Sequence, residues 1–230
     1  MKTVVIIPAG GTGRRMGGEI PKQYLSLAGI PILVHTLREF QQSPFVNEIF
    51  LVVPEGDVTD VRRDLVERYD LAKVSLVVAG GRERQDSVRN AIMHVRDEHE
   101  IILVHDGVRP FVTGALIERT VAGAKEFGAA VPGIPVRDTV KAADATGRVV
   151  KTVQREGLWL VQTPQAFRRE VILAAYERAS ADGFYGSDDA SLVERTGIPV
   201  RMIPGDADNI KVTTPEDLAR GERIVSRRAP

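Results

Sequence analysis

Short, uninterrupted runs of β-branched and other apolar residues recur along this chain, separated by stretches whose apolar residues fall at helical spacing. Val4-Val5-Ile6-Ile7 stops at Pro8 and glycines, and Ile49-Phe50-Leu51-Val52-Val53, the segment from Val74 to Val78, and Ile101-Ile102-Leu103-Val104 repeat the pattern. A run apolar at every position, not at every second one, reads as a strand covered on both faces. Between these runs, Leu33, Leu37 and Phe40, then Val61, Leu65 and Tyr69, then Val88, Ala91 and Val95 step at three or four residues, the spacing of a helix face. A fourth helix is expected from about Thr113 to Phe127, followed by a strand at Ala129-Ala130-Val131. Strand–helix alternation of this kind predicts a mostly parallel sheet with ligands at the carboxyl ends of its strands.

The alternation breaks at Pro135. Val136 to Ala142 and Val149 to Arg155 read as two strands of a hairpin turning at Asp144-Ala145-Thr146-Gly147. The chain then returns to a helix at about Arg169 to Ala181, a polar segment, a strand near Val200 to Ile203, and a last helix. That helix opens with Thr214 as N-cap and Pro215 at the first helical position. No stretch reads as an interdomain linker. The expected fold is one α/β domain over residues 1–230, with helices on both faces of a twisted sheet and residues 136–155 as an inserted hairpin arm.

Composition narrows the chemistry. The 230 residues carry 31 basic and 31 acidic side chains, a formal net charge of zero, which disfavours a general nucleic-acid binder without excluding a local phosphate pocket. Cysteine is absent, which excludes disulfides, thiolate nucleophiles, iron–sulfur clusters and cysteine–zinc sites. No apolar run reaches the ~18–20 residues of a membrane helix, and a cytoplasmic location is expected.

The first strand leads into Pro8-Ala9-Gly10-Gly11-Thr12-Gly13-Arg14-Arg15-Met16-Gly17-Gly18, then Pro21-Lys22. Glycines directly after a first parallel strand let backbone N–H groups turn toward an anion. The dinucleotide fingerprint G-x-G-x-x-G fails because Met16 stands where its third glycine belongs, and the P-loop fails because Glu19 replaces the lysine. What remains is a glycine loop with two arginines and a nearby lysine. It reads either as a triphosphate cradle or as a glycine-rich turn with solvated cations.

The string PAGGTGRRMG…PKQYL, followed in order by GGRERQDSV, HDGVRPF, PVRDTVK, TVQREGLW, QTPQAF, SDDASLVE and NIKVTTPEDL, resembles the 2-C-methyl-D-erythritol 4-phosphate cytidylyltransferases, nucleotidyltransferases of the non-mevalonate isoprenoid pathway. The resemblance runs from Val4 to the last helix and implies a single Rossmann-like domain. It implies CMP transfer from CTP to a polyol phosphate, Mg²⁺ or another divalent cation as cofactor, and a homodimer joined through the hairpin arm. The acceptor phosphate is largely dianionic near neutral pH, so no general base is required, and catalysis reduces to positioning and cationic stabilisation.

Residue by residue, the resemblance gives Arg15 and Lys22 the stabilisation of the five-coordinate phosphorus. Arg155 and Lys211 are given the positioning of the acceptor phosphate. Pro8, Ala9, Gly10, Gly11, Thr12, Gly13 and Arg14 would cradle the triphosphate, and Gly80, Gly81, Arg82 and Ser87 would hold base and ribose. Arg82 stands where some members carry an acidic residue, and Ser87 reads equally as a helix cap. Asp106, Arg109, Thr139 and Ser187 would contact the acceptor, and Asp106 and Asp208 are the metal candidates. His105 reads as packed or capping, and Trp159 as a packing anchor. The four histidines show no metal spacing. Two competing readings are a cytidylyltransferase for another polyol phosphate such as ribitol 5-phosphate, and a non-catalytic nucleotide sensor. Retention of Arg15, Lys22, Arg155 and Lys211 together disfavours the sensor.

Overall fold

The computed structural model describes residues 2–11 and 21–228. In chain order these form β1 (Lys2–Pro8), β2 (Ser26–Leu27), β3 (Ile30–Pro31), α1 (Ile32–Gln42), β4 (Glu48–Val53), α2 (Val58–Val61), β5 (Val74–Ala79), α3 (Arg84–Ile92), β6 (His99–Val104), α4 (Gly114–Phe127) and β7 (Ala129–Pro135). There follow β8 (Val140–Ala143), β9 (Val149–Val153), β10 (Trp159–Val161), β11 (Gln165–Arg168), α5 (Arg169–Ala181), α6 (Asp189–Glu194), β12 (Arg201–Pro204) and α7 (Pro215–Arg228). The main sheet runs β10-β7-β11-β6-β1-β4-β5, with β12 on the other edge of β7. Strands β1, β4, β5 and β6 pair in parallel, as β12 does with β7, whereas β10 and β11 run antiparallel to their neighbours.

The continuous apolar runs are explained by two cores. Val5, Ile7, Ile49, Leu51, Ile101 and Leu103 point to one face, against Leu33, Leu37 and Phe40 of α1 and Leu116 and Ile117 of α4. Val4, Ile6, Phe50, Val52, Ile102 and Val104 point to the other, against Val88 and Ala91 of α3 and Ile172 and Ala175 of α5. Strand side chains alternate, so only a strand apolar at both parities can serve both layers. A third cluster, with Leu27, Ile32, Val108, Phe111, Val212 and Ile224, seats α7 beneath the loop that follows β6.

Several features depart from the sequence expectation. The helix around Val61 and Leu65 starts as α2 and continues through Arg62–Glu67 with π-type hydrogen bonding. The segment expected to be merely polar contains α6, which Asp188 caps by accepting a hydrogen bond from the Ser191 N–H at 3.0 Å. β10 and β11 carry no long apolar run, and β11 buries Gln165 because Asp188 Oδ2 and the Ala190 N–H satisfy its amide. Trp159 is half-buried on β10 and pairs with Pro135, outside the main cores.

The hairpin is shorter than expected: β8 and β9 pair from Val140↔Val153 to Ala143↔Val149. Val136 instead donates its N–H to the Leu158 carbonyl, tying the base of the arm beside the sheet. The turn forms as anticipated. Asp144 Oδ1 accepts from the Thr146 and Arg148 N–H groups, and Gly147 has φ +85°, a conformation glycine adopts without strain. Thr214 caps α7, accepting the Asp217 N–H at 3.2 Å.

Candidate active site

A cleft of about 320 Å³ opens at the carboxyl ends of β1 and β6, on the edge where parallel sheets of this type receive ligands. Its floor is the turn after β1. The Ala9 N–H still bonds to the Val52 carbonyl at 2.7 Å, so the chain leaves the sheet only at Gly10 and Gly11. Lys22, in the short 3₁₀ turn Lys22–Tyr24, lies over this loop, with its Nζ 3.8 Å from where a Cβ on Gly11 would sit.

The opposite wall is the loop from β5 into α3. The Gly80 N–H bonds to the Val53 carbonyl at 2.7 Å, and the Gly81 N–H to Ser87 Oγ at 3.1 Å. A Cβ on Gly81 would lie 2.3 Å from Asp86 Cβ, so only glycine lets the loop approach the helix this closely. Glu83 is the N-cap of α3, sharing a capping box with Asp86. Ser87 is therefore not the cap. Its hydroxyl donates to the Glu83 carbonyl and accepts from Gly81, which fastens the glycine loop to the first turn.

Between the two walls stands Asp106. Arg84 Nε lies 3.2 Å from Oδ1, and Lys211 Nζ and Arg109 Nε lie 2.9 and 3.5 Å from Oδ2. Burial alone would raise this carboxyl's pKa, but Arg84, Lys211 and Arg109 together hold it well below the ordinary carboxylate range, so it is ionised. Arg109 loses some of its basicity to burial, with Asp106 opposing that loss. Arg84 also reaches Asp189 at 2.8 Å, and the two carboxylates more than offset the burial that would otherwise lower its pKa.

Beside the cleft lies a second hollow of about 330 Å³, sharing Arg84, Asp106 and Lys211 with the first and adding Arg109, Thr163 and Ser187. Two compartments therefore meet at one carboxylate and its cations. His105, fully buried, packs edge-on against Phe40 at 4.9 Å and is pushed down to about pKa 3 by burial. Its Nε2–H donates to the Arg109 carbonyl and its Nδ1 accepts from the Thr163 hydroxyl, which in turn accepts the Asp106 N–H. The imidazole is thus a neutral strut that fixes Asp106, not a base.

The structure gathers most of the sequence candidates. Pro8, Ala9, Gly10, Gly11, Lys22, Gly81, Arg82, Ser87, Asp106 and Lys211 line the cleft, and Arg109 and Ser187 line the adjoining hollow. Gly80 is not among the lining residues but lies against one of them, since a Cβ on it would be 3.0 Å from Ser87 Oγ. Thr12, Gly13, Arg14 and Arg15 lie outside the described residues. Thr139 and Arg155 are exposed on the hairpin arm and line neither hollow, Arg155 donating to the Arg137 carbonyl. Asp208 pairs with Arg227 and lines neither hollow, so Asp106 is the metal candidate that lines the cleft.

Three residues that sequence reasoning passed over complete the site: Arg84, Asp189 and Thr163. Arg84 and Asp189 stand inside strings already singled out, GGRERQDSV and SDDASLVE, where a second arginine and a paired aspartate were the available signal. Chemically, the arrangement offers glycine-loop N–H groups and a surplus of cations over carboxylates. That suits two polyanionic substrates, one in each compartment.

A family described as 2-C-methyl-D-erythritol 4-phosphate cytidylyltransferase matches residues 3–227. A protein of that name from Syntrophus aciditrophicus is 50% identical over 226 residues, covering 98% of this chain and 97% of the relative. One from Geotalea uraniireducens is 48% identical over 227 residues, with coverage of 98% and 97%. Among solved structures, 4-diphosphocytidyl-2C-methyl-D-erythritol synthase from Anaerococcus prevotii superposes with a TM-score of 0.85 at 31% identity, covering 98% of this chain and 97% of that one. The cytidylyltransferase from Thermus thermophilus gives 0.82 at 33%, with coverage of 98% and 100%.

Proposed function

This chain belongs to the 2-C-methyl-D-erythritol 4-phosphate cytidylyltransferase family, and from that premise we propose how its own residues divide the work. The reaction is transfer of CMP from CTP to 2-C-methyl-D-erythritol 4-phosphate, giving 4-diphosphocytidyl-2-C-methyl-D-erythritol and pyrophosphate for isoprenoid precursor synthesis. The whole chain, residues 1–230, acts as one nucleotidyltransferase domain, with 136–155 as its arm. The observation that carries the division is the shared position of Asp106 and Lys211 in both hollows.

CTP occupies the cleft beside the glycine loop, its triphosphate on the Pro8–Gly13 backbone and Arg14, its base and ribose against Gly80, Gly81, Arg82 and Ser87. The acceptor occupies the adjoining hollow, its hydroxyls at Asp106 and Ser187, with Thr139 of the partner subunit reaching them from the arm, and its phosphate near Arg109 and Lys211. An acceptor phosphate oxygen attacks the α-phosphorus in line. Arg15 and Lys22 stabilise the charge that builds on the five-coordinate phosphorus, and pyrophosphate leaves. Asp106, ionised at the cleft wall, is the residue that would hold a divalent cation. Such an ion, when bound, neutralises part of the triphosphate charge.

Arg155 works from the partner subunit of a homodimer. Its exposed place on an arm that also exposes Val149 and Val150 supports this reading, since a two-stranded ribbon is marginal without a surface to cover. Among the described residues no helix is long and apolar enough to cross a membrane. With that, the absence of cysteine supports a cytoplasmic enzyme.

The test of the reaction is pyrophosphate release with each nucleoside triphosphate, Mg²⁺, and methylerythritol or ribitol phosphate. CTP with methylerythritol phosphate is expected to be fastest, and a hundredfold preference for ribitol phosphate would overturn the acceptor. The arm is tested by mixing dissociated Lys22→Ala and Arg155→Ala proteins and letting them reassociate. With Arg155 acting across the dimer, half the dimers are mixed and each has one intact site, so up to roughly a quarter of wild-type activity returns. A mixture that stays dead, with mixed dimers confirmed, refutes the exchange.

A further inference from the structure

Arg84 differs from the other cations around Asp106 in holding a second buried carboxylate of its own. It opens α3, with Nε 3.2 Å from Asp106 Oδ1 and Nη2 2.8 Å from Asp189 Oδ2. Asp189 is 1% exposed, and its other oxygen accepts the hydroxyl proton of buried Tyr176 at 2.5 Å. The carboxylate is set at the start of α6 by the Asp188 cap, and the phenol projects from α5. Helices α3, α5 and α6 thus converge on one guanidinium. Lys211, by comparison, is 38% exposed and reaches Asp106 from the loop after β12.

An incoming phosphate dianion competes with Asp106 for the cations beside it. Each cation that turns to the substrate leaves a carboxylate, only 10% exposed, with less compensation, and an unpaired buried charge is costly. A cation clamped by a second buried anion does not follow the substrate. We infer that Arg84, clamped by Asp189 and Tyr176, is a positioning residue that keeps Asp106 compensated and in place while Lys211 and Arg109 turn to the acceptor phosphate. The inference rests on the reading that these two cations serve the acceptor. It assigns Asp189 and Tyr176 an effect on acceptor binding although neither lines the nucleotide cleft.

The experiment compares Asp189→Asn, Tyr176→Phe, Arg84→Gln and Arg84→Lys with the wild type, measuring KM for each substrate, kcat and the thermal midpoint. Asp189→Asn and Arg84→Gln should raise the acceptor KM at least tenfold while the CTP KM moves less than threefold. Arg84→Lys should recover only part of the loss, because an ammonium cannot bridge two carboxylates as a planar fork does. Tyr176→Phe, which removes one hydroxyl and keeps the ring, should shift the acceptor KM two- to fivefold in the same direction, and it serves if Asp189→Asn fails to fold. Equal rises in both KM values, full rescue by lysine, or a lowered thermal midpoint with unchanged KM values would overturn the clamp. Binding of inorganic phosphate at saturating CTP, followed by calorimetry, separates this inference from the reaction it rests on. If the wild type turns over no acceptor yet Asp189→Asn weakens phosphate binding tenfold, the clamp stands and the reaction does not. Unchanged phosphate binding ends the clamp whatever the turnover.

Discussion

Strand β6 has a histidine at its start and another just past its end, each inside a charged cluster, and the two clusters are built to opposite specifications. At the start, His99 Nδ1 accepts the Arg96 N–H at 3.0 Å, which leaves the proton on Nε2 to face Glu48 at 3.2 Å. Arg96 bridges Glu48 and Glu98, and Lys2 pairs with Glu98, so two carboxylates meet two cations near the surface. Glu48, Glu98 and His99 bring ligand atoms within 4.8 Å of one another, and Arg96 and Lys2 pair with the two carboxylates. At the far end, Asp106 and Asp189 face Arg84, Arg109 and Lys211, with Lys22 across the cleft. That cluster carries surplus positive charge and borders two hollows. The first network pairs its carboxylates and cations one for one, whereas the second has cations in surplus and so capacity left for an anion.

The largest contrast should appear in catalysis. Lys22→Ala and Lys211→Ala are expected to lower turnover by about 10²-fold or more, on the order of 3 kcal/mol, as for loss of one preorganised electrostatic group. Lys22→Ala should act on kcat. Lys2→Ala, which removes a lysine from the balanced end, should leave pyrophosphate release within about twofold. Comparable losses at both ends would erase the distinction, and an unchanged kcat with a raised KM would reduce Lys22 to ground-state phosphate binding.

Next in size is the glycine wall. Gly81→Ala would force a Cβ to within 2.3 Å of Asp86 Cβ, displacing the loop that Ser87 fastens. The CTP KM should rise about tenfold, roughly the effect of 1.4 kcal/mol of lost binding. Gly56→Ala, where a Cβ meets nothing within 4 Å, is the matched control and should leave the KM unchanged. A normal KM in Gly81→Ala would show that the nucleotide does not lean on this wall.

The sequence carried the parallel layers because Val4–Ile7 and its counterparts are apolar at both parities, a pattern that has few other uses. It carried the cleft because glycines and cations stand directly after strands. It did not carry β10 and β11, whose pairing depends on partners distant in sequence and whose buried Gln165 looks like a surface residue until Asp188 and Ala190 are seen to satisfy it. Nor did it distinguish Arg84 from its neighbours Arg82 and Glu83, since only packing shows which of three consecutive charged side chains turns inward. Arg155 and Thr139 were legible only through family resemblance; their own chain places them on an exposed arm.

His105 sharpens the comparison through pH. In the folded chain its pKa is lowered by burial from 6.5 to about 3, so the native imidazole stays neutral while the unfolded one takes up a proton below pH 6.5. The unfolded state then binds more protons, and stability falls as pH drops from 6.5 toward 3, by up to ~1.4 kcal/mol per pH unit from this residue. Urea unfolding of wild type and His105→Phe at pH 7, 6 and 5 should show a shallower loss in the variant. Asp106, held ionised in the fold, adds a loss of the same sense from about pH 5 downward, as the unfolded carboxylate begins to take up a proton, and it does so equally in wild type and variant. Parallel slopes would mean that His105 titrates in the fold and that the strut is not neutral.

The smallest effect belongs to the balanced end. In Arg96→Ala the backbone N–H that holds His99 Nδ1 remains, and what disappears is a guanidinium, 54% exposed, between Glu48 and Glu98. Exposed ion pairs trade desolvation and side-chain entropy against a screened attraction, so little net stability is at stake. For a chain of this length the thermal midpoint should drop by no more than about 3 °C. The difference from wild type should shrink in ~1 M salt, where the screening length falls to about 3 Å. Pyrophosphate release should not change, because the altered side chain lies at the opposite end of β6 from Asp106. A midpoint drop well beyond that figure, insensitivity to salt, or an altered KM for either substrate would show that the two ends of the strand are coupled, and the contrast between a balanced network and a receiving one would fail.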